Sequence, residues 1–486
     1  MKRLSGLDAT FLYLETPSSP MHVSGIFVAD PATAPDFSFD RYRQMVGDRL
    51  HLAPPWRRRL AEVPFGLHHP LWIEDPDFDL DFHVRRAALP SPGGRTELAQ
   101  FAAEFHGIPL DRGRPLWQLY VVEGLEGGRV AIVSKTHHAA IDGVSGSEIA
   151  VNLLDLSPEV AVHEPAEPWR PDRVPSDVEL VLYAATSLAR QPLAATKALQ
   201  RTAEMALNLR RRNQHPDIES PPAPFDAPKT SINTPITPHR RYAMADVSLT
   251  DVKKVKNAFR STVNDVVIAL CAGALRRYFE ELDEDVDGDL VALVPISVRT
   301  AGEKGEMGNK VSAMLTSLAT TIDDPGERLA AIIEGTRRAK DQEKAIPADT
   351  LSDWTEFMAP AVAARAARLF SAMRVADKMR PLFNVIISNV PGPNLPLYTG
   401  GAQLEAMYPM GPITDGVGLN ITIFSYRGTI HFGLVACRET VPDVDQLAGH
   451  LQDSLDELLK AAEERTAERP APPKRPTSGA AAPAPA

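Results

Sequence analysis

Cysteine is nearly absent from this 486-residue chain: Cys271 and Cys437 are the only two. Two thiols cannot build a disulfide framework, and no CxxC pair or Cys/His cluster points to a structural metal. Both lie in apolar stretches and read as small buried hydrophobes, which suits a reducing compartment. Long apolar runs are missing too. The longest, 266–275, falls far short of the ~18–20 residues that a bilayer-crossing helix needs. Near the N-terminus, Lys2 and Arg3 are soon followed by Asp8, and an acid that early spoils the apolar core of a secretion signal. The expectation is a cytoplasmic protein that spans no membrane. Positive charge is not in excess either. Lys and Arg total 52 against 63 Asp and Glu, a formal net charge of −11. That balance argues against nucleic acid as the main partner, because phosphate binding needs a basic face.

Proline is plentiful instead, and it is clustered. Twelve of the seventeen residues in 470–486 are Pro or Ala. Such a segment buries too little apolar surface to offset its ordering entropy, so 466–486 reads as a disordered tail. Seven of the twenty-eight residues in 213–240 are Pro. Proline at that density removes backbone donors and favours extended chain, so this segment reads as a long, exposed crossover linker. It separates an N-terminal lobe, 1–212, from a C-terminal lobe, 241–465.

Both lobes mix strands with helices, which predicts an α/β (α+β) fold class. In the first, strands are expected over 21–29, 78–84, 116–123 and 129–136, the last two forming a hairpin, with helices over 39–49 and 144–153. Ser176 and Glu179 form a capping box that opens a further helix. In the second lobe, strands are expected over 290–298, 310–321, 384–390, 417–424 and 429–435. Helices are expected over 263–282, 327–342, 353–379 and 443–464. On the helix over 353–379, Arg365, Arg368, Arg374, Lys378 and Arg380 accompany an apolar stripe, a solvated face by default and an interfacial helix as the sharper reading.

The segment with the most chemical content is 137–143, which opens with His137 and His138 and closes with Asp142 and Gly143. With this chain's residue frequencies, such a pattern arises by chance in on the order of one chain per thousand. It falls where a strand ends and a loop leads toward a helix, a usual place for chemistry in α/β folds. A neutral imidazole is the natural base for removing a hydroxyl proton near neutral pH. Adjacent residues at a strand end point to opposite faces, so one of the two rings is expected to face the substrates. Asp142 can hold the loop by pairing with an arginine or bonding backbone amides, and Gly143 permits a positive φ at the turn. A zinc reading is weak, since the spacing offers no third convergent ligand. A second pair, His68 and His69, has no Asp-Gly at the matching offset and reads as loop structure.

The run 137–143 resembles the HHxxxDG motif of the coenzyme A-dependent acyltransferases. Further segments are similar to bacterial wax ester synthase/diacylglycerol acyltransferases. They are Leu4-Ser5-Gly6-Leu7-Asp8, Pro20-Met21-His22-Val23, Asp75-Pro76-Asp77-Phe78-Asp79-Leu80, Arg114-Pro115-Leu116-Trp117, Val263-Asn264-Asp265-Val266, Pro295-Ile296-Ser297-Val298-Arg299 and Ile387-Ser388-Asn389-Val390-Pro391-Gly392-Pro393. They follow one another across nearly the whole ordered chain. Gly6 departs from the family, where many relatives carry Pro.

The resemblance implies two chloramphenicol-acetyltransferase-like lobes with a tunnel between them. It implies that His138 is the proton acceptor, with His137 and Asp142 supporting the loop. Asn264 and Asp265 match a motif placed near the active-site channel, although Thr262 to Asp265 equally fits a helix cap. The implied activity is acyl-CoA:diacylglycerol O-acyltransferase, making triacylglycerol, together with wax ester synthase activity on long-chain alcohols. Acyl-CoA is then a substrate, no cofactor or metal is required, and contact with the inner membrane or a lipid droplet surface is expected. Two rivals stand beside it: a polyketide-type or condensation-type acyltransferase, and an inactive lipid-surface binding protein.

Overall fold

The computed structural model describes residues 2–140, 153–165, 167–188, 222, 225–297, 311–343, 365, 368–369 and 371–467. Two six-stranded mixed sheets carry the architecture, and a three-stranded antiparallel sheet accompanies them. The first large sheet runs Tyr398–Thr399, Ala402–Met410, His22–Asp30, Val130–His137, Trp117–Glu123, Val84–Ala88. The second runs Val311–Ser317, Val291–Ser297, Val385–Val390, Leu419–Tyr426, Thr429–Cys437, Arg240–Ser248.

The expected hairpin forms, with Trp117 opposite Thr136 and Val122 opposite Ala131. Strand periodicity splits its residues between two cores. Val121, Val130 and Ile132 join Tyr42 and Val46 of the helix Phe39–Arg49. Val122, Ala131 and Val133 join Leu98, Ala102 and Phe105 of the helix Arg95–Gly107. Ser38 caps the helix Phe39–Arg49 by accepting from the Arg41 amide. The apolar run 266–275 lies in the helix Val263–Glu281, buried in the main core of the second lobe with the helices Leu249–Phe259, Pro325–Glu343 and Val444–Ala467.

The division at the linker does not describe how strands are shared. Ala402–Met410 belongs to the second half of the chain by position, yet it pairs antiparallel with His22–Asp30 in the first sheet. Its Pro409 carbonyl presses so close to the Thr429–Cys437 strand that a Cβ on Gly433 would sit 1.8 Å from the oxygen. Tyr242 donates to the same carbonyl at 3.1 Å. One apolar cluster spans both sheets here, from Ile26 and Val133 to Met244, Tyr408 and Val435. The lobes are therefore joined by a packed seam as well as by the chain between them.

Three further expectations need correction. The segment 78–84 is not a strand: Asp79 caps a single helical turn, Leu80–His83, by accepting from the Asp81 amide, and the strand begins at Val84. The second half of the proline-rich linker is not exposed. Ala227, Thr230, Ile232 and Asn233 are buried, because outside partners meet the segment's backbone carbonyls: the Gly418 and Gly416 amides donate to Ile232 and Thr234 at 2.8 and 3.2 Å. Asn384 donates to the Pro228 carbonyl at 2.7 Å, and Asn233 donates to the Asn384 and Gly416 carbonyls at 3.0 and 2.8 Å. Finally, no helix continues through 379: Arg374 has φ +50°, and only the short turn Val375–Asp377 follows. Arg374, Lys378 and Arg380 thus do not extend a face begun by Arg365 and Arg368.

Candidate active site

His22 and His137 stand directly opposite each other, because one begins its strand and the other ends the antiparallel neighbour. The backbone is pinned on both sides at this point. The His137 amide donates to the Leu116 carbonyl at 2.9 Å, and the His138 amide to the Met21 carbonyl at 2.8 Å. The segments around Met21 and Leu116 that carried the family resemblance therefore meet at the histidine pair. A third, Leu4 to Asp8, starts the helix Gly6–Leu14, where Ser5 accepts from the Asp8 amide and Gly6 takes the first helical position, the one that suits proline. That helix packs against the turn His138–Ala140 through Leu12, Ala139 and Ala140, in a cluster that also holds Leu116.

The two imidazoles meet different partners, as expected for neighbours at a strand end. His138 stacks on Phe11, with ring centroids 3.8 Å apart and 16° between the planes. It is half-buried, and its Nδ1 is enclosed without a hydrogen-bond partner among the described residues. Burial, with a smaller contribution from His137, pushes its pKa down to about 4. His137 is buried, accepts from the Ala139 amide through Nδ1 at 3.1 Å, and turns Nε2 toward the Glu15 carboxylate 3.7 Å away.

Around His137 lies a buried polar cluster that the sequence reading did not assemble. Arg112 donates to Glu15 through Nε at 3.0 Å and also through Nη2. His22 places Nε2 3.9 Å from Glu15 and Nδ1 3.3 Å from the His106 carbonyl, and His106 in turn contacts Ser24 at 2.8 Å. Lys135 shares the strand face of His137 by the two-residue period and donates to the Phe105 and Ile108 carbonyls at 2.8 and 2.7 Å. Burial pushes His22 well below the ordinary imidazole range, His106 to about 3 and Lys135 to about 7. Burial also raises the Glu15 carboxyl, but His137 and Arg112 outweigh it and hold the group below its usual value. One signal for the cluster was in hand: His22 stands within a family segment, although Glu15 does not.

Asp142 and Gly143 lie outside the described residues, as does the expected helix over 144–153 apart from its last residue. Asn264 and Asp265 sit at the start of the helix Val263–Glu281, in the second lobe. Asp265 completes a capping box with Thr262 and accepts from Thr336 at 2.8 Å. Asn264 accepts from Asn389 at 3.2 Å, so two of the family segments touch there. The geometry accounts for Asp265 as a cap that ties two helices together. His68 and His69 are buried, bonded to Ser187 and Tyr13 at 2.8 and 2.7 Å. No group of three metal-ligating side chains occurs among the described residues. A cavity of about 1040 Å³ opens elsewhere, between the helix Phe39–Arg49 and residues 158–165, and none of the histidine-site residues lines it.

Comparison with known proteins agrees with this assembly. Residues 4–267 match the wax ester synthase/diacylglycerol acyltransferase catalytic domain, and residues 307–459 match the C-terminal domain of the same enzymes. A Mycobacterium tuberculosis protein named as a probable diacylglycerol O-acyltransferase is 38% identical over 464 residues, covering 93% of this chain and 98% of the relative. The solved wax ester synthase/diacylglycerol acyltransferase from Marinobacter aquaeolei VT8 superposes with a TM-score of 0.65 at 32% identity, over 95% of this chain and 100% of the other. A starter condensation domain of rhizomide synthetase reaches 0.52 at 15% identity over 96% and 95%, a likeness of fold alone. The chain belongs to the wax ester synthase/diacylglycerol acyltransferase family, with an α/β fold of two linked domains.

Proposed function

We propose that the protein transfers a fatty acyl group from acyl-CoA to the free hydroxyl of a diacylglycerol, and to long-chain alcohols, with His138 as the general base. The observation that carries this reading is a half-buried imidazole at a strand end, stacked on Phe11 and kept uncharged at neutral pH by burial. A neutral ring can accept the acceptor's proton as the oxygen attacks the thioester carbonyl. Because Nδ1 is enclosed by the chain, Nε2 is the nitrogen assigned to that proton. The tetrahedral intermediate then collapses, the C–S bond breaks, and the proton passes to the departing thiolate of coenzyme A. No serine or cysteine nucleophile is needed, and the reading assigns no metal or cofactor. His137 supports the turn.

The finer expectations belong to the same reading. Each lobe is taken as chloramphenicol-acetyltransferase-like, with a tunnel between the lobes that admits acyl-CoA and acceptor from opposite ends. Asp142 and Gly143 are assigned to the loop beyond the base, and Asn264 and Asp265 to a second motif near the active-site channel. The acceptor is held in lipid, so contact with a membrane or lipid droplet follows. Among the described residues no single helix is long and apolar enough to cross a bilayer. Flotation with anionic and neutral vesicles at low salt tests that contact. Labelled palmitoyl-CoA offered with diacylglycerol and with hexadecanol, followed by separation of products by polarity, tests the activity. Labelled triacylglycerol or wax ester is expected; binding without either product would contradict this reading.

A further inference from the structure

Glu15 is the C-cap of the helix that supplies Phe11, and its carboxylate lies 3.7 Å from Nε2 of His137. Three contacts set what it can do. Arg112 anchors it from one side, donating through Nε at 3.0 Å and through Nη2. On the other side it faces two imidazole nitrogens, Nε2 of His137 at 3.7 Å and Nε2 of His22 at 3.9 Å. Those separations are too long for direct hydrogen bonds and short enough for strong electrostatic orientation. Neither Nε2 has another partner among the described residues, and both are buried.

The protonation pattern of His137 follows from its other nitrogen. An amide N–H can only donate, so the bond from Ala139 makes Nδ1 the acceptor and places the ring proton on Nε2. That proton points at Glu15. The chain of contacts then runs from Arg112 to Glu15, to the His137 ring, to the Ala139 amide, and so to the turn His138–Ala140. We propose that Glu15 is a positioning residue for this reaction: its anchored carboxylate holds the His137 ring in the Nε2–H tautomer and orientation that clamp the turn carrying His138. The proposal rests on the assignment of His138 as the base.

The charged and titratable groups around Glu15 come from several elements. Arg112 is 3.9 Å from Glu62 on its outer side. Lys135 and His106 lie beyond His22, on the strand Val130–His137 and the helix Arg95–Gly107. A merely structural Glu15, present to neutralise Arg112, would lower stability when removed and would act independently of His137. A positioning Glu15 would lower turnover only while His137 is there to be positioned.

The test is a double-mutant cycle of Glu15→Leu and His137→Gln, read as kcat and KM for acyl-CoA. Glu15→Leu is expected to lower kcat on the order of 100-fold with KM unchanged, the usual scale for a misplaced catalytic group. In the His137→Gln background the same substitution should change kcat little. Glu15→Gln, which keeps a side-chain oxygen facing His137 Nε2 but loses the charge, should retain more turnover than Glu15→Leu. If Glu15→Leu does not fold, the cycle is run with Glu15→Gln alone. Ring ¹⁵N shifts of His137 in the full chain should show a protonated Nε2 and a free Nδ1. Equal kcat losses with and without His137, full turnover in Glu15→Leu, or a proton on Nδ1 of His137 would each overturn the proposal. Wild-type turnover in His138→Ala would instead overturn the base assignment, while the ring shifts still report on Glu15.

Discussion

The chain carries the His-His dipeptide twice, and the two pairs meet opposite conditions. His68 and His69 sit in a loop with both rings buried, His68 bonded to Ser187 and edge-on to Tyr183, His69 bonded to the Tyr13 hydroxyl. Their nitrogens are committed to the fold. His137 and His138 leave the end of a central strand, where one ring is held by a backbone amide and faces a carboxylate. The other stacks on Phe11 with Nδ1 enclosed and unbonded among the described residues, and Nε2 is the nitrogen we assign to the acceptor's proton. A buried histidine with satisfied nitrogens stabilises structure, whereas a base must retain a lone pair and an uncharged ring. Identical dipeptides thus differ through their surroundings, and the shared helix Gly6–Leu14 serves both, Phe11 touching one pair and Tyr13 the other.

Substitution at each pair should separate these roles. The largest effect is expected for His138→Ala: turnover should fall by roughly 10²- to 10⁴-fold, the usual range for general base catalysis, while acyl-CoA binding and thermal unfolding change little. His137→Gln comes next. Loss of the clamp on Ala139 should lower kcat on the order of 100-fold in steady-state assays. His69→Phe should leave turnover per folded molecule unchanged. It strands the buried Tyr13 hydroxyl, so urea unfolding should show a loss of about 1–3 kcal/mol.

A pH effect on stability follows from the same contrast between committed and uncommitted rings. Burial holds His83 and His138 at about 4 and His106 at about 3, all below the ordinary imidazole value of 6.5. Between 6.5 and about 4 the unfolded chain binds protons that these folded rings refuse, so stability should drop as pH falls through that window. Urea midpoints measured from pH 7 to pH 4.5 should decline steadily, and flat midpoints would contradict the burial of neutral imidazoles.

Much of this site was legible because its signals are local. The hairpin, the helix Phe39–Arg49 and the strand end at His137 follow from periodicity and capping within a few residues of each position. Glu15, by contrast, reaches His137 across more than a hundred residues, and nothing near either one announces the other. The same holds for Ala402–Met410, whose own pattern does not reveal that its partner is His22–Asp30. At 213–240 proline density implied an exposed crossover, but the burial of 227–233 depends on the distant Asn384 and Gly416. At 78–84 the alternation of apolar and polar residues suggested a strand. The Asp79 cap and the His83 bond to the Trp117 carbonyl, at 2.7 Å, favour a helical turn instead.

The central claim is that an uncharged imidazole at position 138 takes the acceptor's proton, and the pH dependence of kcat/KM tests it most directly. That profile reports the free enzyme's essential groups, and it is read only where circular dichroism shows the fold intact. Wild-type protein should keep its activity well below pH 6.5, losing it as pH approaches about 4, and His138→Ala should lack this acid limb. An acid limb that persists unchanged in a folded His138→Ala protein would contradict the account.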